Sequence, residues 1–207
     1  MIWTKKKKVM ASLVTVAVLG SVAAFGVFGA FSAETSNDGN EFSAGTVAIS
    51  DNDAGGFLYQ VTNAAPGQSN PANEACINVE YTGTSAAGVH LFTPTSALAS
   101  AALSPYVNLE ITKGTQASPS FKTCTGFTPA TTAGDVYDGT LQTFGTDYTD
   151  YASGIALTNP SGATSWANGD AVVYRFRATL SASAPNSAQG ASTGTHSFTW
   201  GAQSVAP

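Results

Sequence analysis

The chain has 207 residues, room for one sandwich-sized domain or two small ones, and its formal net charge is −5. Four of its eight basic residues are Lys5–Lys8, so residues 31–207 hold four basic and 13 acidic side chains, a net charge of −9. An acidic body repels phosphate backbones, which excludes nucleic acid as an expected partner. Charged residues make up only 10% of the chain and hydrophobic residues 43%, so a core can form.

The N-terminus has the layout of a targeting segment. Lys5–Lys8 form a basic region, and a nearly uninterrupted apolar run follows from Val9 to Phe31. Cleavage after Ala30 makes residues 1–30 a secretory signal peptide. Left uncleaved, the run is long enough, at about 20 residues, to anchor the chain in a bilayer. In both cases we expect the body to lie outside the cytoplasmic membrane, and the chain to contact the membrane only through residues 1–30.

Alternation of apolar and polar residues predicts strands throughout the body. The pattern is clearest in four stretches, with three shorter candidates. The clear stretches are 77–82, 107–112, 172–180 and 198–201, and the shorter ones are 46–50, 57–62 and 88–92. Strands at this density predict an all-β fold, an antiparallel β-sandwich or jelly roll with one short helix, preceded by the N-terminal signal or transmembrane helix.

The one helix is predicted by a different spacing. Leu141, Phe144, Tyr148 and Tyr151 follow one another at intervals of 3, 4 and 3, which places them on one face of a helix of about three turns. Such a stripe either packs on the sandwich or lines a ligand groove. We expect it to pack on the sandwich.

Cys76 and Cys124 are the only cysteines in the sequence. An even number of cysteines in an exported chain predicts one disulfide, and the alternative is two buried free thiols. Neither cysteine belongs to a CxxC pair, which argues against a metal site.

Catalytic motifs are absent from the sequence. It contains no HExxH, no G-x-S-x-G and no phosphate-binding glycine loop, and its two histidines are His90 and His196. His196 shares the inward parity of Phe198 and Trp200 on the last strand, so we interpret both histidines as packed side chains. We therefore expect no enzymatic activity, no catalytic residues, no metal site and no cofactor.

Two acidic stretches resemble fragments of a calcium-binding loop. They are Asp51-Asn52-Asp53 and the pair Asp135 and Asp138. Neither carries the full ligand run of an EF-hand, and Asp and Asn are also common in turns. Calcium binding is left as an open alternative.

Short sequence blocks spread over the whole chain carry a resemblance to a known family. They are Ala30–Ser32, Thr35–Asn40, Phe42–Val47, Val61–Asn63, Pro66-Gly67, Cys76–Tyr81, Cys124–Phe127, Trp166–Asp170, Tyr174–Phe176 and Phe198–Trp200. In these blocks the chain resembles the TasA/camelysin family, and the N-terminal block is the most specific part.

The resemblance implies a secreted jelly-roll subunit of extracellular fibres, typically in a biofilm matrix. It implies cleavage between Ala30 and Phe31 by a SipW-type signal peptidase, and a domain order of 1–30, 31–42 and 43–207. In the family, the segment after the cleavage site, here Phe31 to about Phe42, becomes a strand donated to the neighbouring copy. Such a head-to-tail contact does not close, so copies of the chain assemble into a filament.

Two other functions are kept as alternatives. One is a monomeric cell-surface binding or adhesion module, held in the membrane through an uncleaved Val9–Phe31 segment. The other is a metallopeptidase, which the camelysin part of the family suggests. Because the sequence lacks a zinc-protease motif, we do not carry that activity over.

Overall fold

The structure is a computed structural model that describes residues 43–69, 74–94, 97–131 and 134–205. The chain separates into two units, residues 1–43 and 44–207, and the description concerns the second. The predicted signal segment 1–30 and donor segment 31–42 lie outside the described residues. Within the described ranges, no helix has the length and apolar character needed to span a bilayer.

The described residues between 44 and 205 form ten strands and two short α-helices. The strands are β1 (Ile49–Asp51), β2 (Ala75–Tyr81), β3 (Ala87–Phe92), β4 (Val107–Thr115), β5 (Thr128–Pro129), β6 (Asp135–Thr140), β7 (Ile155–Leu157), β8 (Ser165–Trp166), β9 (Ala171–Leu180) and β10 (Thr199–Ser204). The helices are α1 (Ala97–Ser100) and α2 (Leu141–Asp147), and 3₁₀ turns cover Ser104–Tyr106 and Asn186–Ala188.

The strands form two antiparallel sheets. The larger sheet has the order β1-β2-β9-β4, and β6 and β5 both pair with the remaining side of β4. The smaller sheet has the order β10-β3-β7, and β8 pairs with β3 beside β7. In this arrangement β1 and β10 are edge strands, one in each sheet.

The inward side chains of both sheets pack into one core. On β9, Tyr174 and Phe176 are fully buried, while Arg175 and Arg177 on the other face are partly exposed, as the alternation predicts. The smaller sheet contributes Leu91 and Trp166 to the same cluster. The predicted antiparallel β-sandwich is confirmed.

Two predicted strands differ from the structure. Only Ile49–Asp51 forms a strand in the 46–51 region, and no strand forms at 57–62. Residues 57–63 make no backbone-to-backbone hydrogen bond within the described part of the chain. Their alternation has a different origin, because their side chains line a groove.

β6 is absent from the predicted strands. Its sequence holds two aspartates and a glycine, residues that are rare in strands. The strand forms because β4 pairs with it over five positions and Tyr137 is buried beneath it. Tertiary contacts therefore outweigh local propensity here.

The predicted helix is real but shorter than expected. Thr140 caps the start of α2 by accepting a hydrogen bond from the Thr143 amide at 3.1 Å, and the helix ends before Tyr148, whose backbone is not helical. Leu141 and Phe144 are buried, so the stripe packs on the sandwich as expected. Tyr151 is an exception, because it lies beyond the helix and stacks on His90.

Candidate functional site: an open edge and a groove

The disulfide fastens a loop to the edge of the larger sheet. Cys76 on β2 is bonded to Cys124, with Cα atoms 5.2 Å apart, a separation typical of disulfides. Beside it, the Lys122 amide donates to the Cys76 carbonyl at 2.8 Å. The predicted pairing of the two cysteines agrees with this geometry.

The structure does not bring the two histidines into one site. His90 lies on β3, where its ring stacks on Tyr151 with centroids 4.3 Å apart and its Nδ1 is 2.8 Å from the Tyr151 carbonyl. His196 lies just before β10 and is half-buried among other aromatic rings. Both are packed against aromatic side chains, as interpreted from the sequence, although neither is fully buried.

The acidic stretch at Asp51 is used to shape a turn. An Asp51 carboxylate oxygen accepts from the Asp53 amide at 3.0 Å, and Asp53 in turn accepts from the Gly55 amide at 2.6 Å. The Asn52 side chain accepts from the Asn78 amide on β2. Burial raises the pKa of the Asp51 carboxyl above its ordinary value. Asp135 and Asp138 both lie on β6, and among the described residues no cluster of three or more His, Cys, Asp or Glu side chains is arranged to hold a metal ion.

A groove of about 650 Å³ opens on one side of the sandwich. Apolar side chains from the larger sheet and its connections line it, namely Ile77, Leu103, Val107, Leu141, Ala178 and Leu180. Two segments without strand structure form its other walls. We call them the Tyr59 segment (residues 57–63) and the His196 segment (residues 192–197). The volume is within the range of natural ligand sites.

A second cavity, of about 210 Å³, lies between the two edge strands. It is lined by β1, by Val79 on β2 and by residues 198–200. Phe198 and Trp200 line both cavities, so the two cavities adjoin. The side of the sandwich where β1 faces β10 is therefore incompletely filled.

The backbone of β10 is unpaired along this side. The Val205 amide donates to the Ala86 carbonyl, and hydrogen-bonded pairs alternate along an antiparallel ladder, so Gln203 also directs its amide toward β3. The amides and carbonyls of Trp200, Ala202 and Ser204 then face away from β3. Within the described ranges, β10 pairs with no strand other than β3, so these groups form a free sheet edge.

Trp200 also presents an unpartnered side-chain donor at the same place. Its indole Nε1 is buried and has no hydrogen-bond partner among the described residues. Buried donors are satisfied in the great majority of native structures, so an orphaned one needs an explanation. An acceptor brought into the adjoining cavities by another chain would provide one.

Tyr59 and His196 join the two segments that form the groove walls. The Tyr59 hydroxyl lies 2.8 Å from His196 Nε2, and the ring centroids are 5.8 Å apart. Both rings also contact Phe198, at centroid distances of 6.4 and 5.6 Å. Burial lowers the pKa of the His196 imidazole and raises the pKa of the Tyr59 phenol. Both side chains are therefore neutral at physiological pH.

The charged residues of the larger sheet are kept away from the groove. Arg175 on the outer face pairs with Glu74 at 3.6 Å and with Glu110 at 3.4 Å, and Arg177 lies 3.8 Å from Glu110. The parity of β9 places both arginines on the face opposite Tyr174. The groove wall formed by this sheet is therefore apolar.

Sequence reasoning identified some of these residues and missed others. The alternation of the last strand correctly places Phe198 and Trp200 on the inward side. It gives no sign of the contact between Tyr59 and His196, which are 137 residues apart. The alternation at 57–62 is the available signal, and it predicts a strand instead of a groove wall.

In comparisons with known proteins, no family model and no curated protein matches this sequence significantly.

Proposed function

We propose that the chain is a secreted structural subunit of extracellular fibres, in which each copy donates residues 31–42 as a strand to the next copy. The observation that carries the proposal is the edge of β10, unpaired among the described residues, beside a groove that has one apolar wall. An unpaired edge is a template for a strand from another chain, and pockets beside it bind alternate side chains of that strand.

The donor segment has the length and the anchors that this edge requires. Twelve extended residues reach about 40 Å, whereas the six residues of β10 span about 20 Å. Phe31 and Phe42 lie at the two ends of the segment. Each would contribute on the order of 2 kcal/mol if fully buried in the groove and the adjoining cavity.

The remaining features of the chain are compatible with this function. A disulfide persists in an oxidising compartment, which suits an exported protein. Cleavage after Ala30 by a SipW-type signal peptidase would free the donor segment from the membrane. The partners of the mature chain are then other copies of itself, in the extracellular matrix or at the cell surface.

The direct test is a chain that begins at Gly45. The sandwich from β1 to β10 is intact in this chain, so we expect it to stay folded and soluble. It should form no filaments in negative-stain micrographs, whereas the chain that begins at Phe31 should form them. Filaments of unchanged length and yield from the Gly45 chain would contradict the donated strand.

A second test asks whether the groove accepts the donor segment. The chain from Gly45 retains two tryptophans, Trp166 and Trp200, and of these Trp200 lines the groove, so a change of fluorescence on peptide binding reports on Trp200. A peptide of residues 31–44 should bind it with one-to-one stoichiometry and change this fluorescence. A peptide carrying Phe42→Asp is the matched control and should bind at least about tenfold more weakly. A stable monomer that binds neither peptide would favour the adhesion-module alternative.

A further inference from the structure

The two segments that wall the groove are held together by side chains alone. The Tyr59 segment and the His196 segment make no backbone-to-backbone hydrogen bond within the described ranges. The polar contact between them is the hydrogen bond of Tyr59 to His196 at 2.8 Å. Both residues line the groove, so this contact sits where an incoming strand would enter.

The hydrogen bonds of His196 fix its neutral tautomer. Its Nδ1 lies 3.2 Å from the Gly194 carbonyl, which can only accept, so Nδ1 carries the proton. Nε2 is then unprotonated and accepts from the Tyr59 hydroxyl. In this tautomer the Tyr59 hydroxyl donates and the neutral imidazole accepts.

Protonation of His196 reverses this hydrogen bond. Nε2 becomes a donor, and the Tyr59 hydroxyl oxygen can accept from it, so the hydrogen bond itself does not oppose protonation. The cost of protonation comes from placing a positive charge on a half-buried imidazole among aromatic rings. The acidic residue that lines the groove is Asp53, and its carboxylate is engaged with the Gly55 amide at 2.6 Å. Within the described residues, no carboxylate forms an ion pair with His196.

We propose that the Tyr59–His196 contact is an acid-sensitive latch on the groove, which opens when His196 is protonated and thereby admits the donated strand. This proposal rests on the proposed function, because it concerns the regulation of the same site. In the latched state Tyr59 and His196 are in contact and His196 is neutral, and in the released state the contact is broken and His196 can be protonated. The latched state therefore binds fewer protons than the released state. The latch is therefore fully stable above the ordinary pKa of histidine, about 6.5, and weakens as pH falls below it.

The size of the effect follows from the same linkage. If the pKa of His196 is one unit lower in the latched state than in the released state, full protonation changes the equilibrium between the two states about tenfold. Carboxyl groups with ordinary pKa values near 4 stay ionised between pH 7.5 and 5.5, whereas histidines titrate in that window. This window therefore separates the histidines from carboxyl groups with ordinary pKa values. The pKa of Asp51, which lines the adjoining cavity, is raised by burial, so comparison with His196→Gln is needed to assign the pH dependence.

The test uses the mature chain that begins at Phe31, at fixed ionic strength. Acrylamide quenching of fluorescence in dilute protein reports on access to Trp200, because Trp166 is fully buried and Trp3 has been removed. Filament elongation, followed by light scattering, reports on strand uptake. We expect quenching to rise between pH 7.5 and 5.5 and elongation to become about threefold faster or more.

The variants give the controls. His196→Gln should abolish the pH dependence of both readouts, and Tyr59→Phe should give high quenching at both pH values. His90→Gln removes the other histidine and should behave like the unchanged chain. In addition, ¹⁵N chemical shifts should show His196 protonated at Nδ1 in its neutral form.

The outcomes separate this proposal from the proposed function. Quenching that does not change with pH, or a pH dependence that survives in His196→Gln, would overturn the latch. Acid-dependent quenching lost in His196→Gln, without filaments at any pH, would support the latch and contradict the fibre function.

Discussion

The indole of Trp200 and the phenol of Tyr174 lie with their ring centroids 6.0 Å apart, and the polar atom of each is buried without a hydrogen-bond partner among the described residues. Trp200 comes from the edge of the smaller sheet and Tyr174 from the middle of the larger one. The two orphaned groups thus lie across the sandwich from each other; Trp200 lines both cavities, whereas Tyr174 lines neither. A buried polar group without a partner costs about 1–3 kcal/mol, so neither position is optimised for the stability of the isolated subunit.

Removing the orphaned hydroxyl should stabilise the subunit. Tyr174→Phe keeps the ring and deletes a buried oxygen that has no partner, so we expect the free energy of unfolding to rise by about 1 kcal/mol. Tyr137→Phe is the matched control, because the Tyr137 hydroxyl donates to the Thr140 carbonyl at 2.7 Å. In that variant the free energy of unfolding should fall by about 1 kcal/mol. Urea unfolding of the Gly45 chain measures both, and a loss in Tyr174→Phe would show that its hydroxyl has a partner in solution.

The free edge of β10 can be tested by placing proline on either side of the strand. In Ala202→Pro the lost amide faces away from β3, so the free energy of unfolding should fall by less than about 1 kcal/mol. In Gln203→Pro the lost amide bonds to β3, so the fall should be about 1–3 kcal/mol.

Ala202→Pro, the less destabilising of the two variants, should nevertheless be the more damaging one for strand binding. Ala202→Pro removes a donor that an incoming strand requires, so binding of the peptide 31–44 should weaken at least about tenfold. Unchanged peptide binding in a folded Ala202→Pro chain would place the acceptor edge elsewhere.

The sequence predicts the sheets well and the groove poorly, and the reason is physical. On β9 and β10 the alternation identifies Tyr174 and Trp200 as inward residues, because strand parity fixes the face on which each side chain lies. Alternation does not report whether a neighbouring strand is present. Tyr59 therefore reads as part of a strand, although its segment has no backbone partner.

Contacts between distant segments leave no local signal at all. Nothing in the sequence near Tyr59 indicates that its hydroxyl will donate a hydrogen bond to His196. The orphaned Trp200 nitrogen is likewise a property of the packed structure. The pairing of Cys76 with Cys124 was predictable only because the sequence contains no other cysteine.

The disulfide should contribute to stability without contributing to strand binding. Cys76→Ala combined with Cys124→Ala opens a loop of 48 residues, and the free energy of unfolding should fall by up to about 4 kcal/mol. Neither cysteine lines the groove, so the folded variant should bind the peptide 31–44 with unchanged affinity. Thermal unfolding and the fluorescence titration separate the two effects, and a parallel loss of affinity would show that the fastened loop shapes the groove.

Lys113 is a charged side chain that is buried on the larger sheet. It lies on β4 with 7% of its surface exposed, and its ammonium group donates to the Thr158 hydroxyl. It forms no ion pair among the described residues, and burial lowers the pKa of its amine below the ordinary value. The folded state therefore carries an unfavourable charge at neutral pH.

Replacing this charge should stabilise the subunit in a pH-dependent way. Lys113→Met keeps the length of the side chain and removes the charge, so the free energy of unfolding at pH 7 should rise by about 1 kcal/mol. Because the amine of the folded state has the lower pKa, the unfolded state binds more protons, and the original chain gains stability as pH rises toward 10.5. The advantage of Lys113→Met should accordingly shrink as pH rises toward 10.5. Lys122→Met is the control for loss of an exposed ammonium group. That group lies 3.7 Å from the Phe57 ring centroid, so this variant should instead lower the free energy of unfolding at pH 7 by about 0.5–1 kcal/mol. An advantage of Lys113→Met that stays constant up to pH 10.5 would mean that the ammonium group is fully hydrated in the folded chain.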